Sequence, residues 1–183
     1  MRKSTVVLLS CIVALALMFV VSPVSAQSSY AEDRAMIEDL QARYMFALDF
    51  LDTDAYASTF SKDGVLDYSG GELRGRDAIR GFIIAESRKN AEAAAEDNSG
   101  LRPPVVRHNI INIVIKIDGN KAVGRAYWFI MGNSNPERTA TLSAYGHYED
   151  EMVKVDGKWL FSKRKIYNEQ LAERAAKGNN PAW

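Results

Sequence analysis

The chain has 183 residues, 47% of them hydrophobic, and its 23 acidic residues balance 23 basic ones. Such a balance supplies no basic face for a phosphate backbone, so no nucleic acid is expected as a partner. Cys11 is the only cysteine, which excludes an intramolecular disulfide and leaves the rest of the chain without a thiol nucleophile or thiolate ligand. Residues 1–26 read as a secretory signal: Arg2 and Lys3 precede an apolar run from Val6 to Val21, followed by Pro23 and the small-residue stretch Val24-Ser25-Ala26. The run falls short of the roughly 20 apolar residues of a spanning helix, so no stable membrane insertion is expected after cleavage. Acylation at Cys11 is disfavoured because most of the apolar run follows it. The reading predicts a periplasmic or secreted protein in which residues 27–183 fold as one domain.

From Tyr30 to Leu51, apolar residues Ile37, Leu40, Tyr44, Leu48 and Leu51 recur at helical spacing. Thr53-Asp54 offers an N-cap for a short second helix, Ala55 to Phe60. Val65 to Tyr68 and Glu72 to Arg74 form a hairpin signal around Ser69-Gly70-Gly71, and Gly75-Arg76-Asp77 introduces a long helix ending near Ala95. After Pro103-Pro104 the pattern turns to strands: Val105 to Ile117, Lys121 to Met131, Thr139 to Val155 and Lys158 to Tyr167. Asp118-Gly119-Asn120 and Asp156-Gly157 are strong hairpin turns, so these strands form an antiparallel meander. Asn168 to Trp183 reads as a short polar helix and a terminal aromatic. Helices first and antiparallel strands afterwards predict an α+β fold, not a dinucleotide-binding one.

Several spaced stretches together resemble the SnoaL-like family of the nuclear transport factor 2-like superfamily. They are Ile37-x-x-Leu40-x-x-x-Tyr44-x-x-x-x-Asp49, Phe60-x-x-Asp63-Gly64, Arg74-Gly75-Arg76-Asp77-Ala78-Ile79, Arg107-His108-x-x-x-Asn112, Asp118-Gly119-x-x-Ala122, and Tyr148-Glu149-Asp150 leading to Gly157-Lys158-Trp159-x-Phe161-x-x-Arg164. The resemblance implies a cone-shaped α+β barrel in which a curved, mostly antiparallel sheet and N-terminal helices enclose a pocket. It also implies catalysis without metal or organic cofactor, and packing as a homodimer or homotrimer.

Strand alternation places Ile110, Asn112 and Val114 on the face of His108. Imidazole suits a general base at neutral pH. Asp49 closes the first helix, where the helix dipole disfavours a carboxylate, so its placement calls for a partner. The resemblance makes Asp49 the acidic member of an Asp–His dyad; a solvated acid beside Asp52 and Asp54 is the plainer alternative. Tyr44, five residues earlier, is turned roughly 140° away on the helix. It is either core or, as the family's bile-acid dehydratases imply, a proton donor or carbonyl polariser reaching the same pocket.

Arg164 is expected to stabilise a developing oxyanion, or else to join Lys163 and Lys165 in an exposed basic edge. Asn112 is a second candidate donor beside His108, and Tyr127, Trp128 and Tyr145 are candidates to line a pocket for an aromatic or polycyclic substrate. His147 has no assigned role, and without a His-x-His or His-x-x-x-His pair no metal site is expected. The leading expectation is a lyase that eliminates water or cleaves a C–C bond with release of a small carbonyl fragment. Isomerisation by proton relocation and simple small-molecule binding stay open.

Overall fold

The computed structural model describes residues 29–183. The expected secretory signal lies outside the described residues; among those described, no helix is long and apolar enough to cross a membrane.

Helix α1, Tyr30–Asp49, starts at a capping box: the Ser29 hydroxyl accepts from the Glu32 amide, and Glu32 accepts from the Ser29 amide. It buries Ile37, Leu40, Gln41, Tyr44 and Met45, a face recurring at three and four residues. Helix α2, Thr53–Ser58, is capped not by the expected Thr53-Asp54 pair but by Asp52, whose Oδ1 accepts from the Ala55 amide at 3.0 Å. Between the two helices Leu51 occupies the left-handed region (φ 54°), and the Asp52 amide donates back to the Ala47 carbonyl at 2.9 Å. This closes α1 in a Schellman-type turn with leucine where glycine is usual.

Strands β1 (Phe60–Tyr68) and β2 (Gly71–Arg74) form the expected hairpin, with β1 beginning five residues before the expected Val65. The chain then enters helix α3, Arg76–Glu96, through Gly75 at φ 83°, a backbone angle that favours glycine at this position. Only Ile79 and Ile83 of α3 are buried, so most of this helix faces solvent.

Strands β3 (Val106–Asp118), β4 (Lys121–Gly132), β5 (Thr141–Val155) and β6 (Lys158–Asn168) make the meander. In the β5–β6 turn both Asp156 and Gly157 have positive φ, which matches the twist of the flanking strands. The sheet order is β2-β1-β6-β5-β4-β3, antiparallel at every pairing except the parallel β1–β6 contact. Register shifts in β3–β4, β4–β5 and β5–β6 act as bulges that bend the strands, and the curved sheet stays open because β2 and β3 remain edges.

The core lies between the concave face and the helices, around Ile37, Leu40, Tyr44, Phe60, Trp159 and Phe161. Residues 169–183 contain turns rather than the expected helix. They are tied by Arg174, which donates to Asp67 and to the Ile166 carbonyl, and by Arg125, which donates to the Pro181 carbonyl. Trp183 rests on the outer side of the sheet, its ring 6.0 Å from the Arg125 guanidinium.

Candidate active site

The last residue of α1 and the first turn of β3 meet. Asp49 Oδ1 lies 2.6 Å from His108 Nδ1, and the His108 amide donates to both Asp49 oxygens at 3.1 Å. Both side chains are largely buried, the carboxylate at 6% exposure and the imidazole at 16%. The interactions offset the unfavourable position of Asp49 at a helix C-terminus. A carboxylate can only accept, so Nδ1 carries the proton and Nε2 is left as the ring nitrogen able to take one. The contact joins the two residues that the family resemblance paired, while the strand alternation that placed Asn112 beside His108 fails a few residues later.

The dyad forms part of the wall of a cavity of about 330 Å³ between the sheet, α1 and α3. Tyr44 and Tyr56 line it as well, their hydroxyls 2.7 Å apart. Two hydroxyls bring two protons and share one bond, so one O–H of the pair stays available to a third partner. Tyr148 also lines the cavity, packed edge-on to Tyr44 and stacked with Trp128 at 5.9 Å. Trp128 is a wall residue as expected, its indole N–H donating to the Tyr167 carbonyl at 3.0 Å.

Burial pushes the Tyr44 phenol up, against the pull of Arg164 and the Tyr56 hydrogen bond, and pushes Tyr56 and Tyr148 well above the ordinary value of 10.0. These phenols therefore stay neutral as the pH rises past the range where exposed tyrosines ionise. Because their folded-state values are raised, the stability they contribute is complete below pH 10.0 and is lost as pH climbs through the raised values. Ultraviolet titration should show three of the eight tyrosines ionising only together with loss of the near-ultraviolet dichroism. Ionisation of all eight in one step without unfolding would contradict this.

Arg164 is neither on the cavity wall nor on an exposed edge. It is fully buried beneath the floor, its Nε and Nη2 donating to Asp150 at 2.9 and 2.8 Å and Nη2 also to Gln41 at 2.9 Å. Its guanidinium carbon lies 4.2 Å from the Tyr44 ring centre and 4.1 Å from that of Tyr148. Burial works against its charge, but Asp150 more than offsets this and holds its pKa above the ordinary arginine value. Such a cation supports the tyrosine floor from behind.

Asn112 is not beside His108. The β3 bulge between Ile111 and Val114, with Asn112 at φ 53°, reverses the side-chain alternation, so Asn112 faces a shallow outer depression beside Arg125, His147 and Pro181. Tyr127 and Tyr145 likewise lie on the outer side, 53% and 50% exposed, because β4 and β5 turn their even-numbered residues, Trp128 and Tyr148 among them, toward the cavity. His147 is buried on that outer side, its ring stacked at 4.3 Å on Tyr167. Among the described residues, no group of three or more histidine, cysteine, aspartate or glutamate side chains is arranged to hold a metal ion.

Sequence reasoning missed Tyr56, Glu86 and Asn90 as wall residues. Tyr56 sits on a six-residue helix too short for periodicity to reveal which face is buried, and Glu86 with Asn90 are ordinary surface residues of α3 until the helix is laid over the cavity.

No curated protein matches the chain. Among solved structures, Rv3472 of Mycobacterium tuberculosis, of unknown function, is similar at 23% identity, with 83% of this chain and 84% of that one covered and a TM-score of 0.65. A protein of Novosphingobium aromaticivorans provisionally named scytalone dehydratase aligns at 23% identity, 82% and 96% coverage and TM-score 0.61. A Catenulispora acidiphila protein in complex with S-DNPA aligns at 24% identity, 76% and 96% coverage and TM-score 0.59. These likenesses concern the fold alone. The model of the SnoaL-like domain matches residues 29–165, a span from the Ser29 cap of α1 to the β6 segment that carries Arg164. With the helix-covered open sheet, the aspartate–histidine wall and the aromatic floor all inside that match, the chain belongs to the SnoaL-like family.

Proposed function

We propose that the protein is a cofactor-independent lyase that eliminates water from a small, largely aromatic molecule. The observation that carries this reading is the 2.6 Å contact from Asp49 to His108 Nδ1 on the wall of an aromatic-floored cavity. Family membership supports a small-molecule enzyme, and the provisional name of the Novosphingobium protein supports dehydration. The volume falls at the lower end of the ~300–1,000 Å³ range of ligand pockets, enough for a small ring system.

In the proposed step, Nε2 of His108 takes a proton from a substrate carbon, and the C–H electron pair forms the new double bond as the neighbouring C–O bond breaks. Asp49 stabilises the imidazolium. The free O–H of the Tyr44–Tyr56 pair donates a hydrogen bond to the departing oxygen; since burial keeps these phenols protonated, the proton that completes water is returned by the imidazolium. The test is mass spectrometry of hydroxylated bicyclic aromatics incubated with the protein. Loss of one water, absent with His108→Ala, is expected; release of a carbonyl fragment or an isomer of unchanged mass would replace dehydration by C–C cleavage or isomerisation.

The outer side of the sheet exposes Ile111, Tyr127, Leu142 and Tyr145 around an apolar groove, and we propose that this face joins copies of the chain. Sedimentation should give a dimer or trimer, and Tyr127→Glu should shift it toward monomer. A wild-type monomer at micromolar concentration would refute the interface.

A further inference from the structure

Among the described residues, the cavity wall carries two carboxylates, Asp49 and Glu86, and no lysine or arginine. Two cations lie close to it. Arg164 sits behind the rings of Tyr44 and Tyr148 with its charge held by Asp150, and Lys89 is paired with Glu86 itself. Asp49 has both oxygens satisfied by His108. Glu86 does not: Lys89 meets its Oε1 at 2.6 Å, and no hydrogen bond among the described residues engages Oε2. Asn90 follows Glu86 by four residues on α3, so the two share one helix face and line the same cavity.

A site with this composition has an acceptor to offer, while the groups able to carry positive charge beside it, Lys89 and His108, are already paired with Glu86 and Asp49. A ligand carboxylate would lose hydration without gaining an unpaired cation, and it would compete with Asp49 and Glu86 for the partners that they hold. A ligand hydroxyl or ammonium would instead complete the coordination of Glu86. We infer that the cavity selects an aromatic alcohol or amine whose O–H or N–H group donates to Glu86, and that it rejects aromatic carboxylates. The inference rests on the cavity being the substrate site, as proposed above, and makes Glu86 a specificity-determining residue.

Calorimetric titration of the wild-type protein near neutral pH with four matched probes tests it: naphthylmethanol, naphthylmethylammonium, methylnaphthalene and naphthoate. The alcohol and the ammonium should each bind about 10-fold or more tighter than methylnaphthalene, the scale of a hydrogen bond to a charged group, and naphthoate should bind weakest. Glu86→Ala should bring the alcohol and the ammonium to the level of methylnaphthalene. Glu86→Gln should keep the alcohol's advantage and remove any further advantage of the ammonium, which separates hydroxyl recognition from charge recognition. Glu86 is one-third exposed on a solvent-facing helix, so both variants should fold, as circular dichroism would verify. Naphthoate binding as tightly as the alcohol, or an unchanged ranking in Glu86→Ala, would overturn the inference while leaving the lyase proposal standing. Failure of all four probes to bind would overturn the cavity as the substrate site and both readings with it.

Discussion

Replacing His108 with alanine should lower kcat for water elimination by about 10²–10⁴, the range a positioned general base contributes, with KM little changed. The side chain is partly exposed and makes its one strong contact with Asp49, so the fold should survive and ligand binding should persist. Asp49→Asn should also lower kcat, because an amide in that place can offer N–H instead of an acceptor to Nδ1, favouring the tautomer with its proton on Nε2 and removing the base. Since the pair acts as a unit, the double variant should be hardly worse than either single one. Recovery of turnover in His108→Ala by added imidazole would separate a missing base from a distorted site. Kinetics of the three variants decide the matter: full activity of His108→Ala would remove the residue from the mechanism, and multiplying defects would dissolve the dyad.

The largest loss of stability is expected at Arg164. Changing it to methionine leaves the Asp150 carboxylate at 0% exposure without its cation and removes the support beneath Tyr44 and Tyr148, which should cost about 3–5 kcal/mol. Arg164→Lys should recover only part, because a single ammonium cannot reproduce the two-pronged contact with Asp150. Pairing Arg164→Met with Asp150→Leu should be much milder than the single change, since no charge is then stranded. Urea denaturation of the four proteins gives the comparison directly. A change under about 0.5 kcal/mol for Arg164→Met is the behaviour of a surface residue and would contradict the buried placement.

These expectations divide between features visible in the chain and features that are not. Helix α1 was legible because a 20-residue element repeats its buried face several times, and the hairpins because Asp156-Gly157 and Gly119 carry their own turn chemistry. Asp49 announced a partner through its unfavourable place at a helix end, and the Arg107-His108 stretch pointed to the same pair by resemblance. Asn112 was misplaced for a specific reason: strand alternation assumes an unbroken register, and the bulge before Val114 breaks it. Tyr127 and Tyr145 were lost to a related ambiguity. An aromatic strand with residues of similar character on both faces does not say which face meets the cavity until its neighbours are paired.

What the sequence by itself determined was the order of the elements and the α+β class, because periodicity and turn residues are local; helix-end electrostatics asked for a partner to Asp49, and only the family resemblance named His108. What only the tertiary structure decided was position. It put Arg164 behind the floor instead of on the wall, joined Tyr44 to Tyr56, and laid Glu86 of α3 over the cavity. Those facts depend on how the sheet bends and where the helices settle on it, and both follow from non-local packing and from bulges that no single segment encodes.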